Sequence, residues 1–260
     1  MEQQKGYVDS DYLQMVAELT EHVKKRSYEN MHLKVGQKVL DLGCGTGIDT
    51  IALAQLVGET GRVVGVDYDS AMISEANDRA NEAGVAMWVE HRLTDVEVLP
   101  FPSEQFDSCR SERVFQHLLH PAQVLSEMSR VVRRNGWVVV VDTDWGTLST
   151  DTSQTDIERR LARVISEHTH NNGYAGRQLY RLFKQQGLVD ISIELFPLYV
   201  TDYTLGRQGA LLDEVEQEAL SIGVITKDEL ELLHRNLEKA DAAGTYFSTV
   251  CQVMIAGRKV

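Results

Sequence analysis

The turn DLGCGTG, Asp41 to Gly47, follows the apolar pair Val39-Leu40 and carries a glycine at every second position from Gly43. A strand, a glycine turn and a helix form a ligand site because backbone N–H groups and the start of the helix approach the ligand closely. The spacing departs from the dinucleotide pattern G-x-G-x-x-G, and the Gly-Lys-Ser/Thr ending of the phosphate-binding P-loop is absent. Neither of these phosphate ligands fits, so the turn predicts a nucleotide site of another kind.

Strand and helix patterns alternate around this turn. Apolar strand segments are expected at 39–41, 63–67, 85–90, 106–111 and 137–141. Helices are expected at 48–57, 70–84 and 121–134, the last of them ended by Asn135-Gly136. The four consecutive valines from Val138 to Val141 indicate a strand that is covered on both faces, as in parallel sheets. The alternation predicts a doubly wound, mostly parallel α/β sheet.

Helical patterns dominate the two flanks of this region. An amphipathic helix is expected over 10–26, two helices over 154–186 with a break at 171–173, and more helix over 207–243. Thr226 and Glu229 fit a capping box, with Ile225 and Leu230 as its hydrophobic staple. Strand periodicity at 191–193 and an apolar segment at 246–256 predict two further strands.

The charge balance and the cysteines narrow the classes of partner. Acidic residues outnumber basic ones by 39 to 26, a formal net charge of −13. We therefore expect no broad surface for nucleic acid or for an anionic membrane. The amino terminus lacks the pattern of a signal peptide, so a cytoplasmic monomer or homodimer is expected. Cys44, Cys109 and Cys251 lack the spacing of zinc ligands, and we expect reduced thiols and no metal site.

Several motifs together resemble those of the class I S-adenosylmethionine-dependent methyltransferases. The segment VLDLGCGTG is similar to the first motif of that family, GVDYD at 65–69 to the end of its second strand, and Leu93-Thr94-Asp95 to its adenine-binding turn. LPFPSEQFDSCRSERVFQHLLHP resembles the fourth-strand segment of the small-molecule branch that includes the ubiquinone and menaquinone methyltransferases. RVVRRNGWVVVVD resembles the helix, turn and fifth strand, so the resemblance covers residues 39–142.

The resemblance implies S-adenosylmethionine as the cofactor and a seven-stranded sheet with an inserted helical cap. It implies cofactor contacts from Asp41, Gly43, Cys44, Gly45, Gly47, Asp67, Tyr68, Thr94, Asp95 and Ser111. S-Adenosylmethionine carries no phosphate, and carboxylates at Asp41, Asp67 and Asp95 suit its ammonium, its ribose hydroxyls and its adenine amine respectively. Alternatively, these aspartates act only as turn formers and helix caps.

On this basis the chain is expected to form one methyltransferase domain over 1–260. An N-terminal lid helix occupies 1–35 and the cofactor-binding core occupies 36–144. Cap helices plus a strand follow over 145–243, and a final strand over 244–260.

The acceptor side of the expected site depends on residues beyond the fourth and fifth strands. Methyl transfer from a sulfonium is an in-line displacement, so the protein contributes mainly by holding acceptor and methyl in line. A general base is needed only if the acceptor must lose a proton; His117 is the candidate, although its imidazole would equally satisfy backbone groups. Trp145 is expected to face the acceptor. Glu112 and Arg113 are expected to form an ion pair at the cleft or, alternatively, to position a polar acceptor. His168 is expected to be a core histidine.

These observations predict methyl transfer to a small, partly hydrophobic organic acceptor, such as a quinone precursor or a specialised metabolite. A peptide- or protein-directed methyltransferase is one alternative. A protein that binds S-adenosylmethionine without transferring its methyl group is another. A nicotinamide-dependent oxidoreductase is disfavoured by the glycine spacing.

Overall fold

Seven strands form one sheet in the computed structural model, which describes residue 8 and residues 10–260. The strands are β1 Lys38–Leu42, β2 Arg62–Asp67, β3 Val89–Leu93, β4 Phe106–Glu112, β5 Val132–Thr150, β6 Val189–Val200 and β7 Ser248–Arg258. Their order is β3-β2-β1-β4-β5-β7-β6, with β1 to β5 parallel and β7 antiparallel to both of its neighbours. The predicted doubly wound, mostly parallel sheet is confirmed. Residues 1–7 and 9 of the expected lid segment lie outside the described residues.

Helices flank the sheet and extend beyond it. They are α1 Ser10–Leu19, α2 Glu21–Asn30, α3 Ile48–Val57, α4 Ser70–Glu82, α5 Pro121–Val131, α6 Thr155–Val164, α7 Ala175–Gln185, α8 Tyr203–Gly209, α9 Leu212–Ser221 and α10 Lys227–Ala242. A 3₁₀ turn spans Phe115–His117, and a π-helical turn, Ile165–Thr169, follows α6. In the described part of the chain, no helix combines the length and apolarity needed to cross a membrane.

The sheet is buried on both faces because successive strand residues point to opposite sides. Val138 and Val140 pack with α5 and α7 in one apolar cluster. Val139 and Val141 pack with α2 and α3 in a second cluster on the other face. The run of valines is therefore covered on both sides, as predicted.

A third apolar cluster forms the core of the helical cap. It joins Trp145 to buried side chains of α6, α8, α9 and α10. The capping box at the start of α10 is confirmed, since Thr226 Oγ1 accepts the Glu229 N–H at 3.2 Å and Glu229 Oε2 accepts the Thr226 N–H at 2.8 Å. Ile225 and Leu230, the expected staple, both pack in this cluster.

The segment 145–243, expected as a cap with one strand, is divided between the cap and the sheet. Leu179 and Phe183 of α7 are fully buried in the same cluster as α5, and β6 pairs with β7 along its length. The cap consists of α6, α8, α9 and α10. Strand β5 continues past Asp144 to Thr150, so the expected boundary after residue 144 falls inside a strand.

Three helix predictions differ from the structure in their boundaries. The expected helix over 10–26 is two helices, separated at Thr20, whose hydroxyl donates to the Val16 carbonyl at 2.8 Å. The expected helix over 207–243 is three helices, and Leu211 separates the first two with a left-handed φ of 50°. Helix α5 ends at Val131 rather than at 134, because Val132 already pairs with Phe106 of β4.

Two strands also start later than expected. The third begins at Val89 rather than at 85, because the Val85 N–H still donates to the Ala80 carbonyl of α4 at 3.0 Å. The last begins at Ser248 rather than at 246. The turn Asn135-Gly136 lies within β5 instead of ending a helix, with Asn135 at a φ of 62°.

Substituting Gly136 with alanine is expected to destabilise the fold. A Cβ at this position would lie 2.5 Å from Val132 Cγ1 and closer still to the Asp107 carbonyl oxygen. The free energy of unfolding in urea should fall by about 1–3 kcal/mol. Gly209→Ala is the control, because its Cβ meets no atom within 4 Å and its change should stay within about 0.5 kcal/mol. Equal stabilities of the two variants would contradict the packing assigned to this turn.

Candidate active site

A cavity of about 710 Å³ opens at the carboxyl edge of the central strands. Its floor contains the glycine turn after β1 and the residues that follow β2 and β4. Residues of α1, the loop after the π-helical turn and the junction of α8 and α9 cover it. The volume lies within the ordinary range for small-molecule sites. The cavity therefore joins the sheet edge to the cap.

The glycine turn brings backbone to the cavity wall because side chains are excluded there. Gly43 has a φ of 73°, and a Cβ on it would overlap Val114 Cγ2. The N–H groups of Gly43 and Cys44 both donate to the Val66 carbonyl of β2, at 2.8 and 2.9 Å. The Gly45 N–H donates to Asp67 Oδ2 at 2.9 Å. Gly43, Cys44 and Gly45, three of the residues expected to contact the cofactor, all line the cavity.

Asp67 lies at the end of β2 and connects the glycine turn to the start of α4. Its Oδ1 accepts the Asp69 N–H at 3.0 Å, while Oδ2 accepts the Gly45 N–H. Burial raises the pKa of Asp67, although these N–H groups favour its charged form. Tyr68 and Asp95 also line this end of the cavity, and Asp95 Oδ1 accepts the Glu97 N–H at 2.9 Å. The structure thus brings the predicted acidic and aromatic groups to one wall.

Four of the predicted cofactor residues do not line the cavity: Asp41, Gly47, Thr94 and Ser111. The Ser111 hydroxyl donates to the Leu42 carbonyl at 3.2 Å inside the sheet. Gly47 faces Ala76 of α4, with which a Cβ would be in tight contact at 3.0 Å. The Thr94 N–H donates to the Asp67 carbonyl at 2.8 Å, so Thr94 supports the strand end that carries Asp67.

Asp41 belongs to a buried charge cluster formed with Lys24, Asp49, Arg110 and Glu112. Arg110 is 1% exposed and contacts Asp41 at 3.2 Å, Asp49 at 3.1 Å and Glu112. Lys24 pairs with Asp49 at 2.8 Å and with Glu112 at 3.0 Å. Lys24, Asp49 and Glu112 reach the cavity wall, whereas Asp41 and Arg110 do not line the cavity.

The expected ion pair between Glu112 and Arg113 is wrong. Neighbouring residues of a strand point to opposite sides, so Glu112 shares a side with Arg110 and pairs with it instead. Arg113, with a left-handed φ of 57°, turns into the cavity and donates from Nη2 to the Tyr12 hydroxyl at 2.8 Å. Tyr12 in turn donates to the Gly209 carbonyl at 3.1 Å, so these contacts tie β4 to α1 and α8.

Burial and mutual attraction set the charges in the buried cluster. Burial raises the pKa of Asp41 to about 7. Arg110 lowers this pKa but does not offset burial, because its positive charge is shared among three carboxylates. Burial disfavours charge on Lys24 and Asp49 as well, but ion pairing outweighs it: the pKa of Lys24 is raised and that of Asp49 is lowered. The cluster therefore presents a lysine and two carboxylates to the cavity, with a titratable acid behind them.

Trp145 and His117 meet at the cap side of the cavity. The Trp145 indole N–H donates to Gln116 Oε1 at 2.8 Å, and Gln116 Nε2 donates to His117 Nε2 at 3.0 Å. Since Gln116 offers a donor, His117 Nε2 is the acceptor and Nδ1 carries the proton. Burial lowers the pKa of His117 to about 3, assisted by His170 and Arg113. His117 is a neutral imidazole at physiological pH.

His170 is a cavity residue that the sequence patterns did not identify. Its ring lies 5.5 Å from that of His117 and 5.1 Å from that of Trp145. The Ile165 carbonyl can accept a hydrogen bond but cannot donate one. The 3.1 Å contact therefore places the proton on His170 Nδ1 and leaves Nε2 as an acceptor. Burial lowers the pKa of His170. His168, expected in the core, is exposed instead, because the π-helical turn ends the regular helical phase.

This site fits S-adenosylmethionine in its shape and in its donor set. Positive-φ glycines leave room for close backbone contact, and the Asp67 carboxylate at the end of β2 offers acceptors of the kind that ribose hydroxyls need. The ion-paired side chains of Lys24 and Glu112 offer a cation and an anion at the cavity wall, and an amino acid group carries both charges.

Comparisons with known proteins lead to the same ligand. The profile of the family described as "Methyltransferase domain" matches residues 33–188. The chain belongs to this methyltransferase family. An uncharacterized 37.1 kDa protein in transposon TN4556 of Streptomyces fradiae is 31% identical over 90% of this chain and 67% of its own length. The demethylmenaquinone methyltransferase of Bacillus velezensis is 32% identical over 54% of this chain and 60% of its own length.

Solved methyltransferases share the fold of this family member. The YcgJ protein of Bacillus subtilis superimposes with a TM-score of 0.66 at 19% identity, covering 92% of this chain and 98% of that one. Two further structures of this fold contain S-adenosylmethionine or S-adenosylhomocysteine, at 17–18% identity. The chain is thus a class I S-adenosylmethionine-dependent methyltransferase with S-adenosylmethionine as its cofactor.

Removing the carboxylate of Asp67 is expected to weaken cofactor binding. Asp67→Ala loses both the acceptor for the ribose hydroxyls and the bond that holds the Gly45 N–H, so the Kd for S-adenosylmethionine should rise roughly 10- to 150-fold. Calorimetric titration measures this, and circular dichroism checks that the variant is folded. Asp190→Ala, at a surface pair with Arg258, is the control and should bind normally. Unchanged affinity in folded Asp67→Ala would refute this role.

The buried acid Asp41 is expected to make stability depend on pH. Its pKa is raised from 3.8 to about 7, so its contribution to stability is complete below pH 3.8 and is lost as the pH rises through about 7. Asp41→Asn should remove this loss, which amounts to at most about 4 kcal/mol between pH 4 and pH 8. Urea unfolding across this range measures it. Parallel pH profiles of wild type and variant would mean that Arg110 keeps Asp41 ionised throughout.

Proposed function

We propose that this methyltransferase transfers the methyl group of S-adenosylmethionine to a small, partly hydrophobic organic acceptor. The observation that carries the proposal is the continuity of the 710 Å³ cavity. One end is lined by the glycine turn and Asp67, and the other by Trp145 and two half-buried imidazoles. A covered cavity of this size suits a small molecule better than a protein surface.

The cofactor is proposed to lie along the sheet edge from Asp95 to Lys24. Tyr68 and Asp95 suit its adenine, and Asp67 suits the ribose hydroxyls. The charged part of the wall, Lys24 and Glu112, suits the carboxylate and ammonium of its amino acid group. This assignment replaces Asp41, which pairs with Arg110 and does not line the cavity.

When bound, S-adenosylmethionine supplies an electrophilic methyl group on a sulfonium. The chain's own residues then have to orient an acceptor and exclude water, effects that reach roughly 7–11 kcal/mol in favourable intramolecular cases. Helix α1 and the junction of α8 and α9 close the cavity from above, through residues such as Leu13 and Leu211. We propose that this cover acts as the lid of the site.

For an acceptor that carries a proton, His170 is proposed as the group that accepts it. Its Nδ1 is occupied by the Ile165 carbonyl, which orients the ring and leaves Nε2 as an acceptor on a cavity residue. His117 Nε2 already accepts from Gln116, so His117 is assigned to positioning within the stacked pair. The pKa of each imidazole is lowered by burial, which keeps both neutral at working pH.

A quinone precursor or a specialised metabolite fits the mixed character of the acceptor side. The demethylmenaquinone methyltransferase of Bacillus velezensis, by its name, acts on a quinone precursor, and it aligns with about half of this chain. Stacked aromatic and imidazole rings at Trp145, His117 and His170 favour a flat, unsaturated acceptor group.

Transfer is distinguished from binding alone by incubation with methyl-labelled S-adenosylmethionine and a panel of phenols, hydroquinones and enols. Formation of S-adenosylhomocysteine together with a labelled product supports transfer. Tight cofactor binding without any labelled product would favour the alternative of a protein that binds S-adenosylmethionine only. Label recovered in a protein fraction would favour a protein acceptor.

The assignment of His170 is tested in single-turnover reactions with an acceptor from that panel. His170→Gln should lower the methylation rate roughly 100-fold or more, because a general base typically contributes that much. His168→Gln is the matched control, since His168 is exposed and lies two positions away. A rate that is unchanged in His170→Gln but lowered in His117→Gln would transfer the role to His117.

A further inference from the structure

We propose that a second cavity, of about 270 Å³, receives an uncharged apolar arm of the methyl acceptor that carries a hydroxyl or N–H donor. This inference rests on the proposed function, because it concerns the same acceptor. The second cavity lies beyond the cap side of the first, between α1, the start of α2, β6, β7 and α8.

The two cavities are adjacent and share part of their walls. Both are lined by Tyr12, Val16, Arg113, Trp145 and Ala210. Tyr12 and Arg113 are bonded to each other at 2.8 Å and form the partition at this junction. A molecule whose reacting group lies beside Trp145 in the first cavity would extend past this partition into the second.

The wall of the second cavity is mainly apolar. Leu19 of α1, Pro197 and Leu198 of β6 and Leu205 of α8 contribute to it. Among the described residues of this wall, the only ionisable side chains are those of Arg113, His22 and the tyrosines. The guanidinium of Arg113 disfavours a cationic arm, and no carboxylate is present to pair with one. The wall therefore fits an uncharged hydrocarbon arm.

Gln252 places a polar side chain in the wall of this mainly apolar cavity. Its side chain lines the cavity from β7 and is only 2% exposed. Among the described residues its Oε1 has no hydrogen-bond partner. A buried carbonyl oxygen without a donor costs about 1–3 kcal/mol, so an occupant that supplies a donor gains from satisfying it. An amide oxygen accepts only, and the arm must therefore present O–H or N–H.

Straight-chain alcohols are the probes for this cavity. Calorimetric titration of the full chain with 1-butanol, 1-hexanol and 1-octanol, with and without S-adenosylhomocysteine, should show affinity rising roughly three- to fourfold per methylene. Each alcohol should bind at least threefold more tightly than the methyl ether of equal length, because the ether has no donor for Gln252.

A larger side chain at position 209 would fill the second cavity and leave the first unchanged. It lines the second cavity and not the first, and a Cβ there meets no atom within 4 Å. Gly209→Leu should weaken alcohol binding at least tenfold and leave the affinity for S-adenosylhomocysteine unchanged. Gly209→Ala, the matched small variant, should retain both affinities.

Gln252→Met tests the donor requirement separately. This variant keeps the size of the side chain and removes its acceptor, so the preference for alcohol over ether should disappear. A purely structural role for Gln252 would leave that preference intact. Since methionine also removes an unsatisfied buried oxygen, the variant should fold and melt no lower than wild type.

Three outcomes would overturn the inference. The first is the absence of alcohol binding in a protein that binds S-adenosylhomocysteine. The second is alcohol binding that Gly209→Leu does not weaken, and the third is equal binding of alcohols and ethers. Alcohol binding with the expected variant effects but without binding of S-adenosylhomocysteine would instead contradict the proposed cofactor site alone. The two proposals are therefore separable.

Discussion

The buried guanidinium of Arg110 is the constraint on which the site depends. Its carboxylate partners come from the end of β1, from α3 and from β4, and Lys24 of α2 completes the set. Removing one partner of such a buried pair leaves an uncompensated charge, which costs about 3–5 kcal/mol. Because Asp49 and Glu112 also reach the cavity, the pairs that hold α2 and α3 against the sheet also fix the charged end of the cavity. Fold stability and ligand geometry share these contacts.

The opposite end of the site is organised by neutral groups. Trp145, Gln116 and His117 form one chain of hydrogen bonds, and His170 stacks between the two rings. Burial keeps both imidazoles uncharged, so this end suits an aromatic acceptor, whereas the cluster around Arg110 suits a zwitterion. The charged end and the neutral end of this cavity therefore suit two different ligands, and the second cavity lies beyond the neutral end.

Much of the fold and half of the site could be predicted from local sequence. The strands, the capping box of α10, the glycine turn and Asp67 depend on residues close together in the chain; each strand forms, with shifted ends, and the turn and Asp67 line the cavity. Predictions failed where an interaction between distant segments decided the outcome. Asp41 pairs with Arg110 instead of lining the cavity, because β1 and β4 pair in register at these two residues. Helical spacing did not identify His170, because the π-helical turn interrupts that spacing. Regular helical spacing would place His168 on the apolar face instead.

By itself, the sequence determined the periodic elements, the parallel sheet and the turn whose glycines admit a ligand, because backbone conformation and apolar periodicity are local properties. Only the tertiary structure decided which charges pair, which imidazole reaches the cavity and how α1 and the cap divide the space above the sheet. Lys24 and Asp49 are 25 residues apart, and Tyr12 and Gly209 are 197 residues apart. Their contacts depend on how whole helices dock on the sheet, and no spacing in the chain encodes that distance.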